Sequence, residues 1–132
     1  MKTVFVDTSG FYAVLDATDP FHPAATALFR RAEQEQWRLV TTSYVLHETW
    51  ALVQHRLGWG AVEDWLDVML PLCQVTFVDA ALHALGVARC RQARQRRLSL
   101  TDCISFEFIK QQALTEAIAQ DEHFVREQIT LP

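Results

Sequence analysis

Short apolar runs that end on a polar or acidic residue recur along this chain, and long stretches with helical spacing separate them. The runs are TVFVD (3–7), WRLVTT (37–42), QVTFV (74–78) and EAIAQ (116–120), with EQITLP (127–132) a weaker fifth. Runs of this length and character read as buried strands. Between them, helical patterns cover roughly 10–15, 23–36, 44–57, 61–70, 80–97 and 100–112. Strands that alternate with helices of this length pair in parallel, with helices covering both faces of the sheet. The expected fold is therefore α/β, a three-layer α/β/α sandwich around a central, mostly parallel sheet of four to five strands. Half of the 132 residues are hydrophobic, with only four glycines and four prolines, and no linker, repeat or composition break divides them. Residues 1–132 read as a single domain.

Three cysteines, Cys73, Cys90 and Cys103, are odd in number and form no CxxC pair, which argues against a disulfide framework and a cysteine zinc site and fits a reducing compartment. The opening MKTVFVDTSG has neither the charge nor the apolar length of a signal peptide or spanning helix, so a cytoplasmic location without membrane association is expected. A formal charge of −4 argues against a general nucleic-acid coat. The distribution differs from the total: ten of the twelve basic residues are arginine, and five lie in RCRQARQRR, 89–97. That run is either a solvated helix end or a patch that meets RNA or an acidic partner, with Arg91, Arg94 and Arg97 the candidates for RNA contact.

Parallel sheets take ligands beyond the carboxyl ends of their strands, which gives the acids an expected place. Asp7 closes the first strand and Asp121 follows the fourth, so both belong on one edge. Each has a structural alternative as a helix N-cap. Glu48, in SYVLHETWALVQHRL, lies more than a turn inside its helix, too deep to cap, and shares a stripe with Val45 and Leu52. Asp102 completes a capping box with Ser99, yet shares a face with Ser105, Phe106 and Ile109. Glu122 is an adjacent rival to Asp121. Asp16 and Asp19 read as loop acids, and Asp79 as a cap for the helix after it.

Carboxylates gathered in one cleft raise one another's pKa and require a cation or shared protons. Mg²⁺ or Mn²⁺, bound through a few carboxylates and waters, meets that requirement, with the remaining ligands coming from a substrate phosphate. The chemistry implied is phosphodiester hydrolysis. Asp7 and Asp102 are the first choices as ligands, Asp121 a ligand or water positioner, and Glu48 the group that completes the shell or holds a second ion. Thr8, Ser9 and Thr101 are candidates for supporting those ligands or touching phosphate.

At VFVDTSGFYAVL, SYVLHETWALV, SLTDCISF and IAQDEHF, in this order and spacing, the chain resembles the PIN-domain nucleases, and in particular the small VapC-type toxins of toxin–antitoxin pairs. The resemblance spans nearly the whole chain. It implies a small α/β/α domain and a magnesium- or manganese-dependent endoribonuclease whose four acids fall on Asp7, Glu48, Asp102 and Asp121. It also places the family's hydroxyl on Thr8, with Ser9 beside it, and its aromatic on Phe124 as a core anchor. A homodimer and a small antitoxin partner are further implications, and some relatives process RNA without being toxins. The tail, VREQITLP, departs from the family in lacking the glycine often found before the last strand.

Other readings fit less well. HETWALVQH fails as a zinc-protease motif because Ala51 stands where the second histidine belongs. A phosphomonoesterase with an aspartyl nucleophile would need a second aspartate where Ser9 stands. A catalytically inactive interaction module would use its acids as caps and present Trp59, Trp65 and Leu66 as a surface.

Overall fold

The computed structural model describes residues 1–132. Four strands, β1 (Thr3–Val6), β2 (Arg38–Thr42), β3 (Cys73–Thr76) and β4 (Ala117–Ile118), form one sheet in the order β3-β2-β1-β4, and every pairing is parallel. Helices fill the connections. α1 (Thr8–Leu15) and α2 (His22–Gln34) lead from β1 to β2, and α3 (Ser43–Arg56) and α4 (Trp59–Asp64) lead from β2 to β3. α5 (Ala80–Ala93) and α6 (Leu100–Gln111) lead from β3 to β4, which α7 (Glu122–Arg126) follows. The α/β expectation holds with four strands. The fifth candidate, 127–132, gives only an isolated bridge between Thr130 and Glu116, because Gln128 at φ 61° turns the chain just before it.

The chain steps outward from β1 to β2 and β3, then returns to lay β4 on the other side of β1. That reversal puts the topological switch point between β1 and β4, where a crevice opens beyond the strand ends. Val4, Phe5 and Val6 are fully buried, as a central strand covered on both faces must be. Phe5 meets the rings of Phe108 and Phe124 at 5.9 and 6.3 Å, and Phe11 meets those of Phe29 and Trp65 at 6.1 and 5.8 Å. Trp65 is fully buried, which removes it from any interaction surface, whereas Trp59 remains 55% exposed.

Two helical expectations are corrected. The helix expected over 80–97 stops at Ala93, where Arg94 takes a left-handed conformation, φ 49°. The helix expected over 61–70 is regular only to Asp64; a π-turn (Trp65–Met69) and a 3₁₀ turn (Leu70–Leu72) finish it. Pro71 explains the change, since it has no N–H and its ring clashes with the carbonyl four residues back.

Two glycines mark close approaches. A Cβ on Gly10 would lie 2.4 Å from the Ile118 carbonyl oxygen, so only glycine lets α1 pack onto the end of β4. A Cβ on Gly86 would lie 2.2 Å from Cδ1 of Ile104, where α5 crosses α6. We expect Gly10→Ala to destabilise the protein by about 1–3 kcal/mol, because the obstructing atom is backbone. Gly60→Ala, with open space around its Cβ, should be neutral or stabilising by about 0.4–1 kcal/mol. Urea midpoints of the two variants at unchanged m-value check the contrast.

Candidate active site

Asp7 sits directly after β1 and caps α1. Its amide donates to the Ile118 carbonyl at 3.2 Å, which fixes it at the switch point. Its Oδ2 accepts from the Ser9 amide at 3.1 Å and the Ser9 hydroxyl at 2.7 Å, and that hydroxyl accepts in turn from the Gln120 amide at 2.9 Å. Ser9 thus ties the start of α1 to the segment leaving β4. The carboxyl of Asp7 is only 4% exposed, and its Oδ1 is buried without a hydrogen-bond partner. Burial, reinforced by the charges of Asp102 and Glu48 and opposed by Ser9, pushes the Asp7 pKa up from 3.8 to about 7.

The other acids arrive by separate routes. Thr42 caps α3, which leaves Glu48 more than a turn inside it and half-buried. Asp102 forms the expected capping box: its Oδ2 accepts from the Ser99 amide at 3.2 Å, and its own amide donates to Ser99 Oγ at 3.0 Å. It is 7% exposed. Burial raises its pKa, with the Ser99 amide opposing and the charges of Asp121 and Glu48 adding. Asp121 caps α7, accepting from the His123 amide at 2.8 Å through Oδ1.

These four acids line one cavity of about 410 Å³, together with Thr8, Ser9 and Arg97. Thr8 has its hydroxyl committed to the core, donating to the Val45 carbonyl at 3.4 Å and accepting from Thr49 at 3.1 Å. Thr101, Arg91 and Arg94 do not line the cavity. The arginine run is dispersed. Arg89 pairs with Glu107 and Glu127, each at 2.7 Å, and the end of α5 at Ala93 sends Arg97 toward the acids. Residues not anticipated from the sequence also line the cavity: Tyr12, Asp19, Arg56 and Gln120. Arg56 carries a readable signal, since Glu48, Leu52 and Arg56 follow one another at four-residue spacing on α3. Asp19 carries none; it accepts from the Phe21 amide in a turn that only the tertiary fold brings here.

The arrangement suits a hard cation in its donors. Asp7 offers a buried oxygen with no other use, and its neighbours are oxygen ligands of the kind Mg²⁺ and Mn²⁺ take. No three acidic, histidine or cysteine side chains stand close enough together to hold an ion in this arrangement. The carboxylates share the cavity without closing on a common point. A second cavity, of about 550 Å³, lies beyond Asp121 and is walled mainly by apolar groups such as Phe21, Phe124 and Ile129.

A parallel sheet with switch-point acids of this kind is the PIN domain, whose family model matches residues 4–127, and the chain belongs to that family. Among individual proteins, it is similar to the 23S rRNA-specific endonuclease VapC20 of Mycobacterium tuberculosis, with 29% identity over 122 residues that cover 92% of this chain and 91% of the relative. The crystal structure of M. tuberculosis VapC20, described as a sarcin–ricin loop cleaving toxin, superimposes with a TM-score of 0.84 at 27% identity, covering 96% of this chain and 95% of that one. VapBC2 from Rickettsia felis, bound to a DNA fragment from its promoter, shares the fold at a TM-score of 0.68 and 12% identity, covering 98% and 96% of the two chains. Phe124 is 2% exposed, stacked on Phe5 and edge-on to Phe106, so it packs as part of the core.

The raised pKa of Asp7 has a stability consequence. Below pH 3.8 the carboxyl is protonated in both folded and unfolded chains; between there and about 7 only the unfolded chain releases its proton. Stability should therefore fall as pH rises through that window and level off above it, at about 1.4 kcal/mol per unit of pKa difference at most. Chelator-treated wild type should show this fall in urea titrations from pH 4 to 8, and Asp7→Asn should flatten most of it.

Proposed function

We propose that this chain is a Mg²⁺- or Mn²⁺-dependent endoribonuclease that hydrolyses RNA phosphodiester bonds, and that it is the toxin of a type II toxin–antitoxin pair. The observation that carries the reading is the buried, unpartnered Oδ1 of Asp7 in a cavity shared with Glu48, Asp102 and Asp121. When bound, a hard divalent cation would lower the pKa of a water and neutralise charge on the scissile phosphate. Asp7 and Asp102 are the residues that would hold it, each with one carboxylate oxygen fixed by a serine. Ser9 orients the Asp7 carboxylate, Asp121 takes the role of ligand or water positioner, and Glu48 completes the charge. Arg97 faces the substrate backbone, and Thr101, beside Asp102, keeps only a supporting role.

VapC20 is described as acting on 23S rRNA and cleaving the sarcin–ricin loop, so a structured ribosomal RNA is the first substrate to test here. The reading as a toxin carries a small antitoxin partner with it, and a homodimer is proposed as the assembly. No helix is long and apolar enough to cross a membrane; the cytoplasm is the proposed place of action because the proposed substrate is ribosomal RNA. The phosphomonoesterase alternative is weakened because Ser9, at the position of the second aspartate, is bonded to Asp7 and Gln120.

The test is cleavage of defined RNAs with Mg²⁺ or Mn²⁺, with small phosphomonoesters as controls. Asp7→Asn and Asp102→Asn should each lower the rate by about 100-fold or more, since even outer-sphere partners of a metal cost about 10–100-fold. Circular dichroism should be unchanged. Full metal-dependent cleavage by both variants would reject the assignment.

A further inference from the structure

The acidic cavity contains two guanidinium groups that its carboxylates leave unpaired. Arg56 and Arg97 line it beside Asp7, Asp19, Glu48, Asp102 and Asp121, yet neither belongs to any of the chain's five ion pairs. Arg97 stands in an exposed turn. Arg56 is set in place by its neighbours: it is the last residue of α3, on the face that carries Glu48 and Leu52, and its guanidinium lies 5.5 Å from the centroid of the Tyr12 ring. Tyr12 is itself held, since its hydroxyl donates to Asp16 Oδ2 at 2.8 Å. Asp16 Oδ1 accepts from the hydroxyl and amide of Thr18 at 2.6 and 3.0 Å. Thr18, Asp16 and Tyr12 thus form a chain of contacts that ends under a cation. The ring steadies the guanidinium through its quadrupole, and the Arg56 side chain also approaches the Tyr12 hydroxyl, while its other N–H donors have no protein partner. N–H donors left unpartnered beside a cluster of acids suit an anion that arrives with the substrate.

We propose that Arg56, steadied by Tyr12, clamps a backbone phosphate of the RNA strand flanking the scissile one, with Tyr12 and Asp16 as positioning residues. The proposal rests on the nuclease reading. Arg56 lies eight residues beyond Glu48, about 12 Å along the helix axis, which favours a phosphate other than the scissile one. It therefore contributes to holding the strand rather than to the bond-breaking step. A phosphate contact made this way is independent of base identity. It also offsets the repulsion between a polyanion and a cleft lined by five carboxylates.

The test begins with binding of a fluorescent single-stranded RNA to the Asp7→Asn protein across a salt titration. Adding Arg56→Ala should weaken binding about tenfold and reduce the slope of log K against log salt by about 0.7, the loss of one single-strand phosphate contact. In the cleaving protein, Arg56→Ala should raise KM about tenfold while kcat changes by less than about threefold, and Arg56→Lys should recover part of the KM. Tyr12→Leu should repeat most of the effect; Tyr12→Phe, which keeps the ring but loses the hydroxyl held by Asp16, should preserve most of the salt slope and show only part of the KM effect. An unchanged slope and KM in Arg56→Ala overturns the clamp even where the wild type cleaves RNA, and would leave Arg56 for the carboxylates of a protein partner. Failure of the wild type to cleave any RNA with Mg²⁺ or Mn²⁺ overturns the nuclease reading and the clamp together.

Discussion

The site depends on how closely α1 lies against the end of β4. At Gly10 there is no room for a methyl group above the Ile118 carbonyl, and that absence lets the Ser9 hydroxyl reach both Asp7 and the Gln120 amide. The same approach closes water out around Asp7. Its pKa therefore rises chiefly through desolvation, and one of its oxygens is stranded. A packing constraint between a helix and a strand end thus becomes an electrostatic demand, which a proton or a cation can meet. Without the close approach, Asp7 would be an ordinary solvated cap.

Capping and chemistry are compatible uses of the same side chain. Asp7, Asp102 and Asp121 each spend one carboxylate oxygen on a backbone amide at the start of a helix, and a carboxylate has a second oxygen to offer. The N-terminal ends of α1 and α6 also carry partial positive charge, which lowers the cost of gathering anions there. A cap at such a position anchors a ligand atom in direction and distance. The unpaired guanidinium groups of Arg56 and Arg97 complete the field from the opposite sign.

Much of this was legible in the sequence, because the local rules and the tertiary structure agree. The apolar runs became parallel strands, and the strand-end positions of Asp7 and Asp121 put both at the switch point. The Ser99–Asp102 box formed as its spacing requires. Legibility ends where a residue's neighbours come from elsewhere in the chain. The helical pattern of residues 80–97 continues through the arginines, but Arg94 adopts a left-handed turn that no periodicity marks, and this turn carries Arg97 to the cavity. The commitment of the Thr8 hydroxyl to Val45 and Thr49 depends on the α1–α3 contact. The spacing of the carboxylates depends on how α1, α3, α6 and α7 are set around the cavity, which no pattern of residue types encodes.

Gly86 lies far from Asp7 in sequence and carries no chemistry of its own, yet it sets the register of the helix that bears Asp102. Because Ile104 occupies the space a larger residue would need, α5 and α6 mesh at one depth only. Ile104 is two positions from Asp102 on the same short helix. Drift at this remote crossing would thus be felt at the acids, so a glycine with no polar side chain helps to aim Asp102.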